Sequence, residues 1–208
     1  MSSPKIVIIG DSNLVRCKDN FPRLFGSETV HTDARKGMSI VKFNKEKIWQ
    51  ELVQRFDQIS RVVIFLGIND ASDLARGKIK IAQVAESVNS TVSDMRSSLS
   101  AANIHWSLPH YTDRSTDVNI VACTRSIPSV ITSSQYDCIP SLFDFSKRSQ
   151  YLDSDSYHLN RRGHVQLIMR LCMCLKFDHM FLLSGYIEIE EAAYFYCRGQ
   201  IGLFVSGS

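Results

Sequence analysis

A serine placed directly after an apolar strand, and a histidine with an aspartate three residues before it, have the strongest claim to chemistry in this chain. Ser12 stands in Gly10-Asp11-Ser12-Asn13, at the end of the β-branched run Lys5 to Ile9. A strand-to-helix turn holds a hydroxyl out toward solvent beside a helix N-terminus, whose amide hydrogens favour developing negative charge. That is a nucleophile's position. A serine hydroxyl attacks poorly until a base takes its proton, and His158 can be that base if an acid fixes its tautomer. Asp155 is close enough in sequence to fold back onto the imidazole. Acyl transfer also needs donors aimed at an oxyanion. The backbone amides of Ser12 and Gly37 and the side-chain amide of Asn69 are candidates, from three separate loops.

Each piece has an ordinary reading as well. Asp and Ser are the favoured helix-capping residues, so Gly10-Asp11-Ser12 taken alone is a capping turn, and Gly67-Ile68-Asn69-Asp70 is turn chemistry. Asp153-Ser154-Asp155 has the spacing that opens a calcium loop, but Tyr157 occupies the third ligand position and the required glycine is missing. No metal and no cofactor is expected. Arg161, Arg162, Lys147 and Arg148 read as a solvated face, because nothing aromatic is interleaved with them.

The elements that must hold these residues alternate. After the first strand comes a weaker one, Thr29 to Thr32, and then Ile48, Trp49, Leu52, Val53 and Phe56 at helical spacing. Arg61 to Leu66 is continuously apolar after its first residue, as a parallel strand covered on both faces should be. Ile81, Val84, Val88, Val92, Met95 and Leu99 mark one face of a long helix. A strand from Asn103 to Leu108, a helix near Asp117 to Ser126, a short strand near Cys138 to Phe143 and a helix from Asn160 to Leu175 complete the pattern. The segments Asp70 to Lys78 and Pro109 to Asp117 read as loops walling the site. Strands alternating with helices predict an α/β three-layer sandwich on a mainly parallel sheet, where ligands bind beyond the carboxyl ends of the strands.

In that order the motifs resemble the SGNH hydrolases, the GDSL esterase/lipase superfamily, over Lys5 to Leu175. Gly10-Asp11-Ser12 resembles the first block, Gly37 the second-block glycine, Gly67-Ile68-Asn69-Asp70 the third block and Asp155-x-x-His158 the fifth. Asn13 stands where the name motif has Leu. The resemblance implies a flavodoxin-like sheet and a metal-independent carboxylic ester hydrolase. In it Ser12 is nucleophile, His158 general base, Asp155 its orienting acid, and Ser12, Gly37 and Asn69 supply the oxyanion hole. The run His158-Leu159-Asn160-Arg161-Arg162-Gly163 also resembles the esterase-type domains in first-reading-frame proteins of some non-LTR retrotransposons.

Composition bounds the rest. The 208 residues carry 24 Lys+Arg against 21 Asp+Glu, a net charge of +3, and are 44% hydrophobic. That suits one globular domain with an appendage and excludes a mainly disordered chain. The charge makes no electrostatic case for nucleic acid and does not exclude it; the partner that the resemblance implies is a small-molecule ester. The start carries no secretory signal pattern and no apolar run reaches the roughly 20 residues of a membrane helix. The expectation is a cytoplasmic protein with free thiols at Cys17, Cys123, Cys138, Cys172, Cys174 and Cys197. The α/β domain is expected over residues 1–176, followed by a β-prone extension at 177–208. The rival reading, from another class, is a binding module that keeps the fold without turnover, nucleic-acid associated or derived from a retroelement.

Overall fold

The structure is a computed structural model that describes residues 6–18, 30–56, 58–99, 102–110, 112, 118–133, 137–139 and 148–174. The chain divides into two units, Met1–Leu171 and Cys172–Ser208, and the sheet and the site belong to the first. The expected extension at 177–208 lies outside the described residues.

Among the described residues five strands form one parallel sheet: β1 (Ile6–Gly10), β2 (Val30–Ala34), β3 (Arg61–Phe65), β4 (Asn103–Ser107) and β5 (Asp137–Ile139). Their order is β2-β1-β3-β4-β5, the doubly wound order expected for a flavodoxin-like sandwich. Alternation along the strands divides the core. Val7, Ile9, Val62, Ile64, Ile104 and Trp106 point to one face. They pack under α2 (Ile40–Lys45), α3 (Ile48–Arg55), α5 (Ile81–Ser98) and α6 (Val118–Ser133), which contribute Phe43, Trp49, Val88 and Ile127, among others. Ile6, Ile8, Val63 and Phe65 point the other way and are equally buried. The buried Leu14 of α1 (Ser12–Cys17) and Leu167, Ile168 and Leu171 of α8 (Arg161–Cys174) stand outside the first cluster and supply the opposite layer. Each such side chain contributes about 1.5–3 kcal/mol of burial. Both tryptophans are core residues, Trp106 fully enclosed within β4.

Three departures from the sequence reading have local causes. Asp70 to Lys78, expected as a loop, is largely the helix α4 (Ile68–Ala75), which buries Ile68, Asp70 and Ala71. Gly67 makes its start possible, because its φ of 129° is closed to other residues and a Cβ there would press on Pro109 and Ile127. The short helix α2 is likewise unannounced by periodicity. Helix α6 runs past Pro128 to Ser133. A proline inside a helix forfeits one backbone bond, here to the carbonyl of Thr124, but Ile127 and Ile131 on either side of it are fully buried and hold the helix to the core. The short helix α7 (Arg148–Tyr151) precedes the loop that carries Asp155 and His158.

Candidate active site

Strand order brings the site together before any side chain does. Gly10 is in register with Ala34 of β2 and with Phe65 of β3, so three strands end level, and the Arg35 amide donates to the Gly10 carbonyl at 3.0 Å. The loops leaving those ends carry Ser12, Gly37 and Asn69. Because β1 lies between β2 and β3, the strand order reverses here, at the kind of switch point where doubly wound sheets bind their ligands.

Ser12 is the first residue of α1, whose N-cap is Asp11: the Asp11 Oδ1 accepts from the Asn13 amide at 2.9 Å. The Ser12 Oγ lies 3.1 Å from His158 Nε2, and His158 Nδ1 lies 2.5 Å from Asp155 Oδ2. With Asp155 ionised, Nδ1 carries the hydrogen and Nε2 is left to accept from the serine. An alcohol, an imidazole and a carboxylate thus stand in series, an arrangement able to draw a proton from the hydroxyl. Burial raises the Asp155 pKa, but the imidazole hydrogen bond and the amides of His158 and Tyr157 outweigh it and hold the group at about 2.

The loop that presents His158 is built from its own sequence. Asp155 Oδ1 accepts from the amides of Tyr157 and His158, at 2.9 and 2.8 Å, which pins Ser156 at a φ of 54°. Such a left-handed serine costs about 1–3 kcal/mol and persists because its neighbours are fixed. A bridge between Leu152 and Leu159 closes the loop, and the Asp153 amide donates to the His158 carbonyl at 2.7 Å. Asn160 then ties the loop to the helix. Its Nδ2 donates to the carbonyls of Gln150 and Leu152, while its Oδ1 accepts from the Gly163 amide in the first turn of α8. Gly163 is required there, since a Cβ would stand 2.4 Å from the Tyr151 carbonyl oxygen. The run from His158 to Gly163 is therefore a capping and close-packing unit, and Arg161 and Arg162 within it are exposed.

Asn69 is held at both ends. Its Nδ2 donates to the Met38 carbonyl at 2.8 Å and its Oδ1 accepts from the Tyr157 hydroxyl at 3.3 Å, leaving the second Nδ2 hydrogen for a further acceptor. The Tyr157 hydroxyl shares its one hydrogen between Asn69 and the Ile68 carbonyl, which is the nearer at 2.9 Å, and the Tyr157 ring meets the His158 ring edge-on with centroids 5.2 Å apart. Neither its spacing nor its type announces this role for Tyr157 in the sequence. Gly37 sits in the exposed turn after β2 at a φ of 68°, next to the Met38 that receives the Asn69 amide.

Two buried carboxylates lie beneath this surface. Asp70 accepts from the amides of Ile40 and Val41, at 2.7 and 3.2 Å, and so anchors α2 and the loop that carries Gly37. Burial pushes its pKa up to about 6 against the pull of those amides. Asp11 is pushed up to about 7, first by burial and then by the Asp70 charge, with the Asn13 hydrogen bonds opposing. His110, wholly buried, donates from Nε2 to the Tyr157 carbonyl at 3.0 Å, and burial lowers its pKa to about 4. Among the described residues no group of His, Cys, Asp or Glu is arranged to hold a metal ion, and no helix is long and apolar enough to cross a membrane.

No protein-family model matches the chain, and no curated protein matches it by sequence. Solved structures do match its fold. A lipase/acylhydrolase from Enterococcus faecalis is 21% identical, with a TM-score of 0.58 over 83% of this chain and 95% of that one. A catalytic mutant of an acetylxylan esterase from Geobacillus stearothermophilus is 13% identical, with a TM-score of 0.61 over 85% of this chain and 96% of that one. An α/β hydrolase enzyme from the metagenome of Lake Arreo, Spain, is 13% identical, with a TM-score of 0.60 over 83% and 94%. The chain has the SGNH hydrolase fold, as the sequence resemblance implies.

Proposed function

We propose that this chain is a serine hydrolase that cleaves a carboxylic ester through an acyl-enzyme intermediate. The observation that carries the reading is the unbroken hydrogen-bonded series Ser12–His158–Asp155 at the carboxyl edge of the sheet. Neighbours of the same fold that are esterases and acylhydrolases support it at the level of reaction class. Ser12 Oγ attacks the ester carbonyl while His158 Nε2 takes its proton, and Asp155 stabilises the imidazolium. The oxyanion is received by the amides of Ser12 and Gly37 and by the second hydrogen of Asn69 Nδ2. Collapse expels the alcohol, protonated by His158, and leaves the acyl group on Ser12. Water, deprotonated by His158, then attacks the acyl-enzyme and releases the acid.

The test is a panel of short- and medium-chain p-nitrophenyl esters together with a fluorophosphonate label mapped by mass spectrometry. Hydrolysis with label on Ser12, both abolished by Ser12→Ala without loss of folding, is the expected result. Label at Ser39 or Ser156 instead would remove Ser12 from the role. A parent protein that neither turns over nor labels would favour the binding-module reading.

A further inference from the structure

Asn13 replaces the Leu of the name motif, and its surroundings show what an amide does there. The side chain is fully buried. Its Nδ2 donates to Asp11 Oδ1 at 3.3 Å, and its Oδ1 accepts from the Leu159 amide at 2.9 Å. The orientation is unambiguous, because the reverse assignment would set the Asn13 Nδ2 against the Leu159 N–H and its Oδ1 against a carboxylate oxygen. Asn13 follows Ser12 and Leu159 follows His158. The hydrogen bond from Leu159 to Asn13 therefore runs alongside the contact between Ser12 and His158, joining the same two segments one residue further on. A second link, the exposed ion pair of Arg16 with Asp153 at 3.2 Å, spans the same gap and is worth at most about 1 kcal/mol.

We propose that Asn13 is a positioning residue that sets the distance between the nucleophile's turn and the histidine's loop. The proposal rests on the serine-hydrolase reading for its kinetic consequence. The two segments come from opposite ends of the domain, and the bond inside the histidine loop, His158 to Asp155, does nothing to place that loop against α1. A buried bond whose donor would be orphaned by sliding holds the two in register, since an unpaired buried amide costs about 1–3 kcal/mol. Leu at this position fills similar space but accepts nothing. It leaves the Asp11 cap on the backbone amide intact, so Asn13→Leu removes the link together with the longer side-chain bond to Asp11.

The experiment uses the full-length protein with ¹⁵N-labelled histidine at pH 8, above the ordinary imidazole range. In the parent, His158 Nε2 should resonate as a hydrogen-bond acceptor and the Nδ1 proton should appear far downfield. In Asn13→Leu the Nε2 resonance should move to that of an unpartnered neutral imidazole while the Nδ1 proton stays, because Asp155 travels with the loop. On esters kcat should fall about 10- to 100-fold, with KM within about twofold. Asn13→Asp keeps the acceptor for Leu159 and can share a proton with Asp11, which burial and the Asp70 charge already bias toward its protonated form; Cys17 is the other titratable group beside it. That variant should restore the Nε2 resonance and bring kcat to within about threefold of the parent. A folded Asn13→Leu with the parent's resonance and kcat overturns the proposal. If Asn13→Leu does not fold, Asn13→Asp decides: the parent's Nε2 resonance supports the link and its loss overturns it. A parent inactive on every ester defeats the proposed function, and the resonances then judge the link by themselves.

Discussion

Asn69 shows how much a single side chain is asked to do. One amide hydrogen is spent on Met38 and the carbonyl oxygen on Tyr157, so both the position and the orientation of the group are set before any substrate arrives. A donor fixed in advance acts mainly on charge that develops in the transition state. Asn69→Ala should therefore lower kcat by about 10² to 10³ with KM nearly constant, measured on the ester that the parent hydrolyses best. The hydroxyl of Tyr157 keeps its stronger bond to Ile68 in that variant, so the histidine loop should hold. A lower melting temperature with normal kcat would instead mark Asn69 as a turn residue and remove it from the oxyanion hole.

At the scale of elements, the start of α8 is where packing and propensity oppose each other. Gly163 lies in the first turn of that helix, and on propensity alone Gly163→Ala would stabilise by about 1 kcal/mol. Packing runs the other way, because the added methyl would sit 2.4 Å from the Tyr151 carbonyl and within 3.0 Å of Leu159 side-chain atoms. Backbone cannot yield as a flexible side chain can, and overpacking of this kind costs about 1–3 kcal/mol. The net effect should be a Tm lower by about 2–8 °C, read by thermal unfolding. Any yielding also displaces Leu159 and the adjacent His158, so kcat should fall in parallel. An unchanged or raised Tm would show that the helix start shifts freely.

For the whole molecule, buried carboxyls make stability depend on pH. Asp11 sits near 7 in the folded protein against 3.8 as a free side chain, with burial the main cause. The folded chain therefore binds more protons than the unfolded one across that window, and this group's contribution to stability falls as pH rises from about 4 to about 7. Asp70 adds the same trend up to about 6. His110, lowered to about 4 by burial, opposes them below 6.5, because there the unfolded chain takes the proton. Asp155 acts in a different window: its stabilisation is present above 3.8 and lost as pH falls through about 2. A comparison of Asp11→Asn with the parent isolates the first effect, since Asn retains the cap and the shape. The variant should be more stable than the parent at pH 8, by at least about 1 kcal/mol or 2–4 °C, and close to it at pH 4. Equal Tm differences at both values would mean that Asp11 is ionised without cost.

Much of the frame is readable without coordinates because its signals are local. The apolar runs of β1 and β3, the helical spacing of α5 and the turn chemistry after Gly10 and Gly67 each depend on residues within one element. The types of Ser12, Asn69, Asp155 and His158 and their places in the strand order suffice to name them as a constellation, and the structure brings Ser12, His158 and Asp155 into hydrogen-bond reach. What the sequence cannot disclose is whatever depends on a partner far along the chain. Helix α2 is anchored by Asp70, 30 residues away, so its own six residues carry too little pattern to announce it. The amide of Asn13 meets Leu159 across 146 residues, and Tyr157 reaches Ile68 across 89. Those bonds exist because β1 lies between β2 and β3 with their ends level, and strand order is fixed by the packing of both faces of the sheet together.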